Sequence, residues 1–321
     1  MKELGEMGAA EQARRKPLQI RCCQAAGCLS AHAQELADAL ESGVDQHCEV
    51  LRVGCLGLCS QGPLVQACGP SGDVLFEKVR VEQAAALLAR ARGGPAGEVQ
   101  EGDLTSPFFA RQQRIVLKNS GLVEPERIES YLAQGGYATL AQVLHDLSPT
   151  EVVDCVTRSG LRGRGGAGYP TGLKWSLLAK STAPQKYLVC NGDEGDPGAF
   201  MDRSVLESDP HLVLEGMALA AYAVGANQGY LYVRGEYPLA IRRIQLALKQ
   251  AKKLGLLGSR ILESSFSLNL ELRIGAGAYV CGEETALIAS IEGQRGTPRP
   301  RPPYPTERGL WGCPTLINNV E

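Results

Sequence analysis

Two cysteine pairs constrain this chain more than any other feature. Cys23 and Cys28 form a C-x4-C, and Cys55 and Cys59 form a C-x3-C. Each pair follows a short apolar run that reads as a strand, Leu18–Arg21 before the first and Glu49–Val53 before the second. A fold that uses both pairs must bring two post-strand loops to one end of a sheet. Four thiolates on two loops suit a [2Fe–2S] cluster, with two cysteines for each iron. Zinc sites use C-x2-C knuckles more often, and buried free cysteines are common core residues. Both alternatives account less well for the paired spacing. Seven of the 11 cysteines fall in the first 68 residues. With an odd count and no export signal at the start, a metal site is favoured over a disulfide framework. Cys22 keeps one alternative open, a C-x5-C from Cys22 to Cys28.

Along the chain, residues 1–16 are polar and small and read as a disordered tail. Residues 17–92 alternate as β-α-β-β-β-α, which predicts a small thioredoxin-like α/β domain. Gly93-Gly94-Pro95-Ala96-Gly97 marks a linker. It opens a connector over 93–147 that carries two short helices split at Gly135-Gly136. From residue 148 to 321, strands and helices alternate, which predicts a parallel sheet covered by helices. This second domain opens on a capping box, Ser148 with Glu151, and on Pro149 at the first helical position.

Thirty-eight glycines in 321 residues exceed the usual fraction of about 7%, and they cluster in three places. Gly163-Arg164-Gly165-Gly166-Ala167-Gly168 satisfies G-x-G-x-x-G, but a helix precedes it where the dinucleotide fingerprint needs a strand. It still opens space for a flat or phosphorylated ligand, with Arg162, Arg164 and Lys174 nearby as cations. Gly275–Gly282 follows a strand and opens a helix, a place suited to an anion. Glu283 and Glu284 then either complement the helix dipole or bind sugar hydroxyls, the reading preferred beside such a loop. Asn191-Gly192-Asp193-Glu194-Gly195-Asp196 follows strand Tyr187–Cys190, where α/β folds bind ligands.

The segments SGLRGRGGAGYPTGLKW, CNGDEGDPGAFMDRSVLESDPH, GAGAYVCGEETALIASIEGQRG, RPPYP and GLWGCPTLINNV resemble the FMN- and NADH-binding flavoprotein subunit of complex I and its relatives. The phrase VGCLGLCSQGPLV resembles the thioredoxin-like [2Fe–2S] ferredoxins. Together they resemble the diaphorase flavoprotein subunits of NAD-linked bidirectional [NiFe] hydrogenases of cyanobacterial type. Those of NADH:quinone oxidoreductases, bifurcating hydrogenases and NAD-dependent formate dehydrogenases are close seconds. The resemblance implies a thioredoxin-like [2Fe–2S] domain followed by a Rossmann-like α/β domain that binds FMN and NADH. It implies an NAD(H)-dependent flavoprotein oxidoreductase that exchanges hydride between NAD(H) and FMN and hands single electrons to iron–sulfur centres. No side chain need act as acid or base in that exchange.

By the resemblance, Gly163, Gly165, Lys174, Asn191, Asp193, Gly282, Glu283, Asn318 and Asn319 would hold FMN. Gly166, Tyr169, Asp196, Glu284, Arg301 and Tyr304 would hold NADH. Cys23, Cys28, Cys55 and Cys59 would hold the [2Fe–2S] cluster. The family carries a [4Fe–4S] cluster in a later domain; no C-x2-C-x2-C run occurs in these residues, so the chain reads as truncated. Implied partners are NADH and the iron–sulfur subunits of a hydrogenase or complex I-like assembly. The net charge of −2 argues against a nucleic-acid surface, and no apolar run reaches membrane-spanning length. A cytoplasmic location follows from these readings. The rival from another class is a non-catalytic iron–sulfur assembly or redox-sensing fragment.

Overall fold

The computed structural model describes residues 2–70, 72–95 and 97–321. By contacts the chain divides into two units. One is Lys2–Gly135 together with Glu207–Asp209, and the other is Gly136–Leu206 with Pro210–Glu321.

The first unit runs α1 (Lys2–Ala13), β1 (Leu18–Cys23), α2 (Ala26–Leu29), α3 (Ala33–Ser42), β2 (Cys48–Val53), β3 (Val65–Gly69), β4 (Gly72–Glu77), α4 (Ala84–Ala91), β5 (Gln100–Gly102), α5 (Pro107–Ala110) and α6 (Ile128–Leu132). Its sheet has the order β2-β1-β3-β4-β5. β1 pairs parallel to β2 and antiparallel to β3, so the β-α-β-β-β-α order read from the sequence is the one found. β5 was not foreseen; it adds antiparallel to β4 through Gly102, Glu101 and Gln100. One core packs Leu36, Leu40 and Leu87 against Ile20, Val65 and Phe76. A second gathers Leu51, Val53, Leu56 and Leu64 around Cys23, Cys28 and Cys55.

The expected disordered tail is instead helix α1. Its Glu11 is buried and bridged by Arg14, Arg15 and Arg127. Burial raises the Glu11 pKa, but bonds from Arg14 and Arg127 outweigh it and hold the carboxyl below its ordinary range. Gly8 lets α1 approach the end of α6, since a Cβ there would stand 2.7 Å from the Leu132 carbonyl oxygen. The segment is ordered by partners more than 100 residues away, which local polarity does not reveal.

The second unit continues with α7 (Ala138–Asp146), α8 (Pro149–Ser159), α9 (Thr171–Ala179), β6 (Tyr187–Gly192), α10 (Met201–Ser208), α11 (Pro210–Val224), β7 (Gln228–Arg234), α12 (Pro238–Lys253), β8 (Asn269–Gly275), α13 (Glu284–Ile291) and β9 (Thr315–Asn319). The end of α10 and the residue after it, Glu207 to Asp209, lie in the first unit, as noted. The predicted capping box is present: Ser148 and Glu151 cap each other's backbone at α8. All strand pairs of the sheet are parallel, in the order β8-β7-β6-β9. β6 lies between a strand that follows it and one that closes the chain. The direction of winding therefore reverses between β6 and β9, and ligands of open parallel sheets bind at such a point, beyond the carboxyl ends of the strands.

Candidate functional site: a glycine-lined cleft and a four-thiol cluster

At that switch point Asn191 of β6 lies in register with Asn319 of β9. The three glycine loops meet there. The first is closed by Gly163, whose N–H donates to the Tyr169 carbonyl at 2.8 Å. A Cβ on Gly165 would lie 3.7 Å from the Asn319 side chain. The second loop is tied to the third by Asn191, whose Nδ2 donates to the Gly282 carbonyl at 2.9 Å. A Cβ on Gly282 would lie 3.1 Å from the Asp193 carbonyl oxygen. Gly195 meets Tyr279 in the same way, at 3.0 Å. Gly166 and Gly277 have φ of 106° and 80°, values that exclude most side chains.

Charged groups line this edge. Lys174 on α9 donates to the Ile317 carbonyl at 2.8 Å and reaches Glu284 at 3.4 Å. Arg301 bonds Glu284 at 2.6 Å. Glu283 caps α13, accepting from the Thr285 and Ala286 amides at 2.9 and 3.0 Å. The simpler of the two readings, helix complementation, thus describes one Glu283 oxygen, while Glu284 faces two cations. The two asparagines ending β9 are oriented separately: Trp175 donates to Asn318 Oδ1 at 3.1 Å, and Asn319 donates to Asp202 Oδ2 at 2.7 Å.

Asp193 is buried, and its Oδ2 has no hydrogen-bond partner. Its nearest cation is Arg234, 3.8 Å from Oδ1. Burial pushes its carboxyl up to about 6. An orphaned buried acceptor beside open glycine backbone is what a polyhydroxylated ligand would satisfy, so these residues fit a flavin nucleotide. Tyr169 and Tyr304 stand largely exposed, as do Phe200 and Tyr279, which the sequence reading did not single out. Asp196 is exposed and accepts the Ala199 amide through its carbonyl.

Asp202 was also missed. It is buried, holds Asn319, and its carboxyl is pushed up to about 7, chiefly by burial and with Glu194 adding to it. Its own sequence signal is only its position after the Gly-Asp run. A separate concavity of 630 Å³ lies at the amino end of the sheet, lined by Tyr187, Gln228, Tyr230, Asn269 and Glu271. The side-chain amides of Gln228 and Asn269 there bond each other and Glu271.

In the first unit the four paired cysteines converge. Cys23, Cys28 and Cys55 are buried in one cluster, and Cys55 Sγ lies 3.6 Å from Cys59 Sγ. Contact with Cys28, then burial, push Cys23 up to about 12; contact with Cys23 pushes Cys55 up to about 11. Gly57, at φ 97°, donates its amide to Cys55 Sγ at 3.3 Å. A Cβ on Gly62 would stand 2.9 Å from Cys28 Sγ, and one on Gly27 would stand 3.4 Å from Cys59 Cβ. Gly54 serves another purpose, making room for the Ser208 side chain. Cys22 faces the other core, bonded to Gln24 and directed at the Ala33 carbonyl. Among the described residues no three His, Cys, Asp or Glu side chains gather tightly enough for one metal ion. The thiols form a chain of neighbours instead, which fits a two-iron cluster held pair by pair.

Known proteins are similar to this chain. The NADP-reducing hydrogenase subunit HndC of Solidesulfovibrio fructosivorans is 56% identical over 211 residues, 66% of this chain and 43% of that protein. An NADH-quinone oxidoreductase subunit of Aquifex aeolicus is 51% identical over 207 residues, 64% of this chain and 48% of that one. The chain thus spans less than half the length of these relatives. A chain from the crystal structure of an NAD+-reducing [NiFe]-hydrogenase in the air-oxidized state superposes with a TM-score of 0.54 and 30% identity. The match covers 99% of this chain and 53% of that one. A profile of the Nuo51 FMN-binding domain matches residues 156–321, the whole stretch that carries the glycine loops and β9, and the chain therefore belongs to the Nuo51 FMN-binding domain family.

Proposed function

We propose that the chain is the nicotinamide- and flavin-binding module of an NAD(H)-dependent oxidoreductase, with a [2Fe–2S] cluster on its N-terminal unit. One observation carries the reading. Three glycine loops meet at the switch point of a parallel sheet around a buried carboxyl, Asp193, with an unpartnered oxygen. FMN, when bound, takes up hydride and releases electrons singly. The protein's part is position and charge. Asp193 offers an acceptor for a flavin hydroxyl. Lys174, anchored on the Ile317 carbonyl, supplies a cation, and Gly163, Gly165, Asn191, Gly282, Glu283, Asn318 and Asn319 shape the rest of the cradle. Gly166, Tyr169, Asp196, Glu284, Arg301 and Tyr304 form the nicotinamide side, with the Tyr304 ring as a flat stacking surface and Arg301 for pyrophosphate. Cys23, Cys28, Cys55 and Cys59 are the ligands of the cluster, in a thioredoxin-like domain.

The relatives are named as subunits of a hydrogenase and an NADH-quinone oxidoreductase, which supports work beside other subunits; the proposal takes these to be iron–sulfur subunits, in the cytoplasm. No described helix is long and apolar enough to cross a membrane. The test is flavin content and NADH–ferricyanide turnover of the purified chain after incubation with FMN. Lys174→Ala should lower flavin occupancy while leaving the far-UV circular dichroism unchanged. A chain that retains no FMN, or a variant with unchanged occupancy and turnover, would remove the reading or the residue respectively.

A further inference from the structure

Both cysteine loops of the first unit are held by a tripeptide from far along the chain, Glu207-Ser208-Asp209. All three residues are buried, Glu207 to 2% exposure and Ser208 to 1%. Glu207 Oε2 accepts the Ala26 amide at 3.1 Å, inside the loop between Cys23 and Cys28. Ser208 Oγ accepts the Cys55 amide at 3.0 Å. The Cys55 carbonyl accepts from Ser120 Oγ at 2.7 Å, so both backbone groups of this cysteine are fixed by serine hydroxyls. Asp209 accepts from Asn119 Nδ2 at 2.6 Å, which secures the neighbour of Ser120. Gly54 is required here, because a Cβ would meet Ser208 Cα at 2.7 Å.

A carboxylate that bonds one cysteine loop, next in the chain to the serine that bonds the other, bears directly on any redox group between them. Reduction of a [2Fe–2S] cluster by one electron adds one negative charge, and burial near a fixed negative charge disfavours that state. We infer that Glu207 is a positioning residue that sets the reduction potential of the cluster and holds it low, while Ser208 fixes the Cys55 ligand in place. The inference rests on the four-cysteine reading.

The experiment is a potentiometric titration of the purified chain with dithionite and mediators, read by the electron paramagnetic resonance signal of the reduced cluster. Glu207→Gln should favour reduction at least tenfold, equivalent to about 59 mV for one electron, with the oxidised visible spectrum unchanged. Glu207→Asp keeps the charge, and its potential should stay closer to wild type than to Glu207→Gln. Glu35→Gln, a neutralised carboxylate exposed on α3, should not move the potential. An intact spectrum with an unchanged potential in Glu207→Gln would overturn the inference. Glu207→Ala is the second neutral variant. If neither neutral variant loads a cluster while Glu207→Asp does, the residue is a requirement of assembly and not a determinant of potential, which also overturns it. Iron and sulfide analysis of wild type reads the ligand set separately, and their absence would overturn the four-cysteine reading and this inference with it.

Discussion

Asp202 gives the flavin-domain unit a specific dependence on pH. Its carboxyl is 7% exposed and its pKa is pushed from 3.8 up to about 7, first by burial and further by the charges of Glu194 and Glu321, with the Asn319 bond acting the other way. Other ionisable groups facing it include Cys190, itself buried within β6. A carboxyl with a raised pKa keeps its proton in the folded chain after the unfolded chain has lost it. Between about pH 4 and pH 7 the native state therefore binds more protons, and stability falls as pH rises through that window. Each pKa unit is worth about 1.36 kcal/mol, so a lift of about three units costs about 4 kcal/mol, complete by pH 8. In a unit of this size 1 kcal/mol moves Tm by about 2–4 °C, which makes the loss about 8–16 °C.

Asp202→Asn removes the titration while keeping an acceptor for the Asn319 amide. The assay is favoured by the sequence, whose two tryptophans, Trp175 and Trp311, both lie in this unit. Thermal unfolding followed by tryptophan fluorescence thus reports on it alone. Wild type should lose stability from pH 5 to pH 8, and Asp202→Asn should lose about 3 kcal/mol less, because about two of the three pH units lie in that range. Asp193, pushed up to about 6 by burial, contributes the same sign in both proteins and cancels in the difference. Parallel slopes for the two proteins would refute the argument, because they would show that Asp202 is ionised in the folded chain at pH 5.

Cys23→Ser should bleach or distort the visible spectrum of the cluster, whereas Cys22→Ser should leave it intact; the reverse result would reassign the first ligand. Gly62→Ala places a methyl group 2.9 Å from Cys28 Sγ and should lower iron content without unfolding the first unit, as read by iron analysis and circular dichroism. Asp196→Asn should raise the NADPH-to-NADH ratio of kcat/KM about tenfold, equivalent to about 1.4 kcal/mol, because a carboxylate near the ribose repels a 2′-phosphate. Equal loss with both nucleotides would confine Asp196 to shaping its turn.

The cysteine pairs and the glycine loops were legible because their information is local: spacing after a strand, and backbone freedom at a turn. What escaped was set by distant partners or by unusual solvent contact. Helix α9 presents Leu173 and Leu177 to solvent at 47% and 46% exposure, so it lacks the polar face that marks a surface helix, yet it delivers Lys174 and Trp175 to the ends of β9. Strand β9 itself ends in Asn318-Asn319, residues that strands disfavour, and it is held in place by pairing with β6 from Tyr187 to Asn191. Cys22 and Cys23 are both buried on β1, so burial could not choose between them in advance. The choice comes from the period of two along a strand, which turns adjacent side chains to opposite faces: Cys22 to the core with Leu36 and Phe76, Cys23 to the core with Cys28 and Cys55. The same geometry explains why an alternative ligand set starting at Cys22 would need a one-residue slip of β1. Such a slip would carry Ile20 out of its core as well, so the proposed ligand assignment and the packing of the first unit rest on the same register.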